Sequence, residues 1–243
     1  MNISELKNKF NGETIALIGN GGSLTMSDLE LIKSKGVMTY GVNKIFLAYD
    51  QTEWRPDFYS ASDHAIIKDV VESFKIYRPE HLIMPFSTQE YFKGFTSILD
   101  DICFVNHLSR SDEGYVRDFS RDVSKVSYGG YTVLFFALQV IYFLGFQKVI
   151  IMGLDHDYSK AKVVPVSQRS HNGRMLIHKE GSNHFHPDYF KKDSLIGDVY
   201  ITESEESFEM ADRVFSEAGR SILNCSRSTK LTVLKRSSLE DEI

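Results

Sequence analysis

Apolar and polar positions along the chain follow two patterns, short apolar runs and longer stretches with a helical period. Continuous apolar runs at 14–18, 37–42 and 148–152 predict buried strands, because a strand covered on both faces has no polar side. The helix predicted at 132–144 is apolar on most of its surface and comes just before the last run, as a central crossover does. The pattern predicts an α/β, Rossmann-like fold: a mostly parallel sheet with helices on both faces.

Further strands are predicted at 56–63, 81–86, 102–105 and 222–225, and further helices at 23–35, 65–77 and 203–218. Two segments show no sustained period. Residues 108–122 are expected to form a loop or flap, and residues 159–197 a long irregular lid or binding loop. Residues 237–243 are expected to be a polar tail. A length of 243 residues fits one domain, so we expect 1–243 to be a single Rossmann-like domain with the lid inside it.

The composition narrows the class of protein. With 42% hydrophobic residues the chain can bury a sizeable core, and a net charge of −5 without a Lys/Arg block argues against a nucleic-acid binder. Cys103 and Cys225 are too far apart for a zinc knuckle and predict a reducing compartment. No apolar run is long enough to span a membrane and no signal peptide is evident, so we expect a cytoplasmic protein. Peripheral membrane association and a homo-oligomer remain open.

The first predicted strand is followed by a turn of small residues, namely Gly19, Asn20, Gly21, Gly22 and Ser23. Glycines let the backbone approach a phosphate closely, and the next helix is expected to point its free N–H groups at the anion. The turn lacks a Walker lysine and the GxGxxG spacing, which disfavours P-loop and NAD-binding proteins; a simple tight turn is the alternative. Asn43 and Asp63, after the second and third strands, are expected beside the nucleotide because ligands bind at the carboxyl edge of such sheets.

A second turn of small residues precedes the apolar helix and contains Ser127, Gly129, Gly130 and Thr132. Its hydroxyls and free N–H groups suit a second anion or a sugar, and the alternative is a helix cap with glycines for close packing. Asp155 and Asp157 follow a strand and resemble a DxD pair that holds a divalent cation, although strand-end aspartates are often turn caps.

A histidine-containing loop at 183–190, with the sequence NHFHPDYF, is the most unusual stretch of the chain. His184 and His186 can each act as a general base near neutral pH, and Tyr189 adds a hydroxyl. A zinc site is disfavoured because no further ligands stand at a recognisable spacing. The alternative is a loop folded on its own aromatic side chains.

Five segments together resemble a known family: GNGGSL at 19–24, Asn43, GGYT at 129–132, GFQKVIIMGLDH at 145–156, and the loop at 183–190. They resemble the bacterial domain-of-unknown-function 115 proteins, which are grouped with archaeal 6-hydroxymethylpterin diphosphokinases. Three of the motifs also resemble bacterial sialyltransferases that use CMP-sugars. The first resemblance covers nearly the whole chain, whereas the second is patchy.

The sialyltransferase resemblance implies a glycosyltransferase of surface-polysaccharide biosynthesis that moves a sugar from a nucleotide-sugar, such as a CMP-activated acidic sugar, to a saccharide acceptor. No cofactor is required. Asn20, Ser23 and Asn43 would hold the nucleotide, and the turn at 129–132 its phosphate or sugar. A histidine of the 183–190 loop would deprotonate the acceptor, and Tyr189 would donate to the leaving phosphate. The chain departs from the pattern at Gly22, where proline is usual, and at Tyr131, where glycine is usual.

The diphosphokinase resemblance implies a different reaction, in which Asp155 and Asp157 bind magnesium on ATP. Tyr128, Tyr131 and Phe136 are the residues that would form its pterin slot. A third alternative is a non-catalytic nucleotide-sugar binding module. We favour the glycosyltransferase, because the histidine loop and the long lid suit acceptor deprotonation.

Overall fold

The computed structural model describes residues 2–64, 66–95, 99, 101–159, 162–165, 174–177, 183–190, 195–197 and 200–243. The strands are β1 Thr14–Ile18, β2 Met38–Val42, β3 Phe58–Ser60, β4 His81–Pro85, β5 Ile102–Val105, β6 His107–Leu108, β7 Ser127–Tyr128, β8 Lys148–Met152, β9 Lys162–Pro165, β10 Arg174–Ile177, β11 Leu195–Gly197, β12 Ser221–Asn224 and β13 Lys235–Arg236. The α-helices are α1 Met26–Ser34, α2 Ile67–Ser73, α3 Val133–Leu144, α4 Ile201–Glu217 and α5 Leu239–Glu242.

Eight strands form one parallel sheet in the order β13-β12-β8-β1-β2-β3-β4-β5. From β1 the chain adds β2 to β5 on one side, and it later adds β8, β12 and β13 on the other. The direction of winding therefore reverses between β1 and β8. In open α/β sheets the carboxyl ends of the strands at such a reversal form a crevice, which is the usual ligand site.

Helices cover both faces of the sheet, which confirms the predicted fold class. One face packs on α3 and α4, and α3 is buried along nearly its whole length. The other face packs on α1, α2 and α5. The buried amide of Gln139 in α3 accepts from the Ser120 and Tyr128 backbone N–H groups, both at 3.0 Å, and donates to the Tyr128 carbonyl at 2.7 Å. These bonds fix the chain just before the second small-residue turn.

The central strands lie close to their predicted positions, but three other expectations need correction. The helix predicted from residue 23 begins at Met26, because Thr25 and Asp28 form a capping box there. The predicted polar tail contains α5, which Ser238 caps. The segment 159–197 is not irregular throughout: its described parts include β9, β10 and β11, which form a three-stranded antiparallel sheet. These short strands stand between polar stretches of the sequence, so the segment as a whole shows no sustained period. None of the described helices has the length and apolar character needed to cross a membrane.

Candidate functional site

A cavity of about 640 Å³ lies at the carboxyl ends of β1 and β8. Its walls come from the loops after β1, β2, β3 and β8, from the turn before α3 and from the 183–190 loop. The cavity therefore occupies the crevice that the strand order creates. Of the residues proposed from the sequence, those that line it are Gly19, Asn20, Gly21, Asn43, Asp63, Gly129, Gly130, Tyr131, Thr132, Asp155, Asp157, His184 and Tyr189.

The glycine turn after β1 is held against β8 by close backbone contacts. The Gly19 N–H donates to the Met152 carbonyl and the Gly21 N–H to the Gly153 carbonyl, both at 2.8 Å. A Cβ on Gly21 would lie 2.6 Å from the Asp155 carboxylate and 2.7 Å from the Gly153 oxygen. Glycine at this position is therefore required by the approach of two loops.

Ser23 belongs to the same turn but does not line the cavity, and Asp155 accepts from both of its donors. Its N–H donates to Asp155 Oδ2 at 2.7 Å, and its hydroxyl donates to Oδ1. Burial raises the pKa of Asp155, while the two bonds from Ser23 oppose that shift. Ser23 and Asp155 thus tie the first loop to the loop after β8, and Gly22 lies exposed beside them.

The N-termini of α1 and α3 differ in their position relative to the cavity. Both N-termini carry a side-chain cap: Thr25 Oγ1 accepts from the Asp28 N–H at 3.2 Å in α1, and Thr132 Oγ1 accepts from the Leu134 N–H at 3.3 Å in α3. The N-terminus of α3 borders the cavity through Thr132, Val133 and Leu134. Helix N-termini attract anions through their N–H groups and the helix dipole. Of these two helix N-termini, that of α3 is the one on the cavity wall, and anion binding at either small-residue turn stays a prediction.

Glycine is needed in that second turn for packing. A Cβ on Gly130 would lie 2.3 Å from the Phe135 ring, which is buried in α3. Ser127 is buried below the turn and does not line the cavity; its hydroxyl lies 3.0 Å from His107 Nδ1. The aromatic residues expected to form a pterin slot do not come together, because Phe136 is buried in the core and Tyr128 is not on the cavity wall.

Two asparagines present buried side-chain oxygens at the cavity. Asn20 donates its Nδ2 to the Val42 carbonyl at 3.0 Å, which fixes the orientation of its amide. The Oδ1 atoms of Asn20 and Asn43 are buried, and neither has a hydrogen-bond partner in the described part of the chain. An unsatisfied buried acceptor costs about 1–3 kcal/mol, so these two oxygens are acceptors available to a donor group in the cavity.

The histidine loop docks directly on the glycine turn. His184 pairs with Gly21 in an antiparallel bridge, and the Phe185 N–H donates to the Asn20 carbonyl at 3.1 Å. The His184 ring stacks on Tyr189 with centroids 3.8 Å apart. Burial raises the pKa of Tyr189, whose hydroxyl is hydrogen-bonded by Asn43. The tertiary structure thus brings two motifs together that are far apart in sequence.

The two histidines of this loop have different surroundings. His184 lines the cavity, whereas His186 is absent from the described lining. His186 caps the short 3-10 helix Pro187–Tyr189, where its Nδ1 accepts from the Asp188 N–H at 3.1 Å. Of the two, His184 is therefore the one on the cavity wall, where His64, His107 and His156 also lie.

The two aspartates after β8 are engaged with protein groups. Asp157 Oδ1 accepts from Ser159 and lies 2.9 Å from Lys230 Nζ. The hydrogen bond from the Ser159 side chain, and to a lesser extent that from Lys230, holds the pKa of Asp157 well below its usual range. Within the described ranges, no group of three or more His, Cys, Asp or Glu side chains is arranged to hold a metal ion. Magnesium binding by Asp155 and Asp157, which belongs to the diphosphokinase alternative, stays a prediction; Asp157 already forms an ion pair with Lys230.

The segment expected to be a flap also contributes to the wall, which sequence reasoning missed. His107 lies in β6, and burial lowers its pKa to about 4. Asp112 accepts from the Ser109 N–H at 2.6 Å and from its hydroxyl at 2.8 Å, closing a turn. The SRSD sequence at 109–112 is a hydroxyl–carboxylate turn signal, but nothing local indicates that it faces the ligand.

Backbone strain is concentrated on the cavity wall. In the described part of the chain, four residues other than glycine have positive φ, and three of them line the cavity: Asn43 at 52°, Tyr131 at 64° and His156 at 50°. Left-handed backbone costs a residue with a Cβ roughly 1–2 kcal/mol. Such strain clusters at functional sites, where the surrounding fold maintains it.

Comparison with solved structures shows that this chain resembles a known protein in its fold. The chain matches the structure of the MAf glycosyltransferase from Magnetospirillum magneticum AMB-1 with a TM-score of 0.56 and 13% identity, over 99% of this chain and 38% of that one. It thus spans well under half of that protein. An enzyme from Bordetella bronchiseptica, WbmH in complex with NAD+, matches at a TM-score of 0.27 and 10% identity over 89% of this chain and 56% of that one, too distant to inform. Neither a protein-family model nor a curated protein matches the chain.

Proposed function

We propose that the protein is a glycosyltransferase that binds a nucleotide-sugar in the cavity between the ends of β1 and β8. The observation that carries the proposal is the pair of buried, unpartnered Oδ1 atoms of Asn20 and Asn43 at this crevice. They require O–H or N–H donors, which the ribose hydroxyls and the base amino group of a nucleotide supply. The shared fold with a glycosyltransferase supports the same class of reaction.

The charge of the cavity favours a nucleoside monophosphate as the leaving group. The described lining contains the carboxylates of Asp63, Asp112, Asp155 and Asp157 and no Lys or Arg. A di- or triphosphate would meet these carboxylates without a counter-charge. One phosphodiester charge can be held by the N-terminus of α3 and the turn at 129–132. A CMP-activated sugar carries its sugar on such a single phosphate, so no metal cofactor is required.

His184 is our proposed general base, which takes the proton from the acceptor hydroxyl of a saccharide. It lines the cavity and is held by Tyr189, whose hydroxyl is linked to Asn43 on the nucleotide side. We assign Tyr189 the donation of a proton or hydrogen bond to the leaving phosphate. Asp155 positions the first loop through Ser23 rather than holding magnesium.

The test is a thermal-shift panel of CMP, CDP, UDP, ADP and ATP, each with magnesium and with chelator. A ligand that binds only the folded state raises its stability, by about 2.7 kcal/mol at a hundred times its Kd. We expect CMP to stabilise the protein in chelator. Stabilisation by ATP only with magnesium would instead support the diphosphokinase, and no response to any nucleotide would refute nucleotide binding.

Asn43→Gly provides a matched variant for this panel. Glycine tolerates the φ of 52° at this position, so the variant keeps the backbone and removes only the amide. We expect the CMP Kd to rise about tenfold, the effect of losing one hydrogen bond. An unchanged Kd would show that Asn43 does not contact the nucleotide.

A further inference from the structure

A second, smaller cavity of about 270 Å³ adjoins the first and shares Ser109, Gly129 and Tyr131 with it. Its other described lining residues are Arg110, Tyr115 and Tyr200. The Tyr115 hydroxyl donates to the Gly129 carbonyl at 2.8 Å, which fixes the shared wall. A ligand whose phosphate lies at the turn before α3 can therefore extend past Tyr131 into this cavity.

Two tyrosine rings form an aromatic surface in the second cavity. The rings of Tyr131 and Tyr200 lie 5.0 Å apart between centroids and are tilted by 41°. Tyr131 holds its place in the left-handed backbone region, at a φ of 64°, where glycine is the unstrained residue. Residues with a Cβ persist in this conformation mainly where the surrounding structure and the function maintain it. The ring that this backbone carries lies against Tyr200 on the wall of the second cavity.

Arg110 supplies a positive charge beside these rings. Its guanidinium carbon lies 4.1 Å from the Tyr200 centroid and 5.8 Å from that of Tyr131. Its backbone is held by the turn in which Asp112 N donates to the Ser109 carbonyl at 2.9 Å. Arg110 forms no ion pair in the part of the chain that the structure describes, whereas Arg117, also beside Tyr131, is paired with Glu206.

We propose that this second cavity is a subsite for a carboxylate-bearing sugar, a proposal that rests on the glycosyl-transfer function proposed above. The planar guanidinium of Arg110 matches a carboxylate through two parallel hydrogen bonds. The negative faces of Tyr131 and Tyr200 suit the C–H groups of a sugar ring. The acidic sugar is either that of the donor or that of the acceptor, since both meet at the wall shared by the two cavities.

The experiment compares methyl β-D-glucuronide with methyl β-D-glucoside, which differ only at the carboxylate, by ligand-observed NMR titration. We expect the glucuronide to bind at least about tenfold more tightly than the glucoside, because a hydrogen bond between charged groups contributes that much affinity. Arg110→Gln should remove that preference, and Arg110→Lys should retain part of it. Arg117→Gln is the matched control and should leave it unchanged. Equal binding of the two sugars, no binding of the glucuronide, or a preference that survives Arg110→Gln would overturn the proposal.

Competition then identifies the source of the sugar. Displacement of the glucuronide by CMP-N-acetylneuraminate but not by CMP would place the donor sugar in the subsite, and simultaneous binding would place the acceptor there. The titration itself contains no nucleotide. A glucuronide preference with no nucleotide stabilisation would refute the proposed function alone, and stabilisation by CMP without the preference would refute the subsite alone.

Discussion

Gly21 and Gly22 are adjacent glycines for which the structure predicts opposite responses to alanine. A Cβ on Gly21 would lie 2.6 Å from the Asp155 carboxylate and 2.7 Å from the Gly153 carbonyl oxygen. A Cβ on Gly22 would meet nothing closer than the His184 carbonyl oxygen at 3.7 Å, an ordinary contact. Neither glycine has the positive φ that would itself disfavour alanine. The comparison therefore isolates the close approach of the two loops.

The magnitude follows from the clash. Forcing an extra methyl group into such a site costs about 1–3 kcal/mol, and moving the loop also weakens the 2.8 Å bond from Gly21 N–H to the Gly153 carbonyl. Alanine regains about 0.4–1 kcal/mol because it restricts the unfolded chain. We expect Gly21→Ala to lose about 1–3 kcal/mol in the free energy of unfolding, or roughly 2–10 °C in Tm for a chain of this size. Gly22→Ala should stay within about 0.5 kcal/mol of the parent.

The assay is urea denaturation of the parent and both variants, with Tm as a second measure. CMP stabilisation is recorded in parallel, and it should fall for Gly21→Ala because the clash displaces Asn20 as well. Equal stability of the two alanine variants would refute the reasoning, since it would mean that the loop after β1 does not rest against Gly153 and Asp155 as described.

Three further predictions concern His107, Tyr131 and the histidine loop. Since burial lowers the pKa of His107 to about 4 from an unfolded value near 6.5, the unfolded state binds its proton first. The contribution of neutral His107 to the free energy of unfolding is complete above about pH 6.5 and falls by at most roughly 3 kcal/mol as the pH falls toward 4. His107→Asn should flatten that part of a plot of unfolding free energy against pH. An unchanged plot would contradict the burial of this histidine. In urea denaturation, Tyr131→Gly should be more stable than Tyr131→Ala by about 0.5–1 kcal/mol, because alanine has a Cβ and is strained at this positive φ, whereas glycine is not. The reverse order would show that the backbone at position 131 is not strained. His184→Gln should slow the formation of CMP from CMP-N-acetylneuraminate by about 100-fold or more, while the binding of CMP persists. His186→Asn can keep the hydrogen bond to the Asp188 N–H and should match the parent. Equal losses of rate in the two variants would exclude His184 as the specific base.

Much of the fold was predictable because its signals are local. Continuous apolar runs gave β1 and β8 with the same bounds as in the structure, and the apolar helix before β8 ends at Gly145, whose φ of 99° requires glycine. Strands β9 to β11 escaped prediction because they are short apolar runs inside a polar segment that shows no sustained period as a whole. Helix α5 was missed for a similar reason, since four residues make a single turn.

The sequence by itself determined the parallel sheet, the glycine turns and the types of residue available for chemistry. Only the tertiary structure decided which of them meet. It placed the donors of Ser23 on Asp155, a residue 132 positions away, and it put the N-terminus of α3, and not that of α1, on the cavity wall. It also placed His184, but not His186, on the cavity wall, and it packed the guanidinium of Arg110 over the ring of Tyr200. Local periodicity fixes elements through neighbouring residues, whereas a site at a sheet edge is built from loops whose positions depend on the winding of all eight strands.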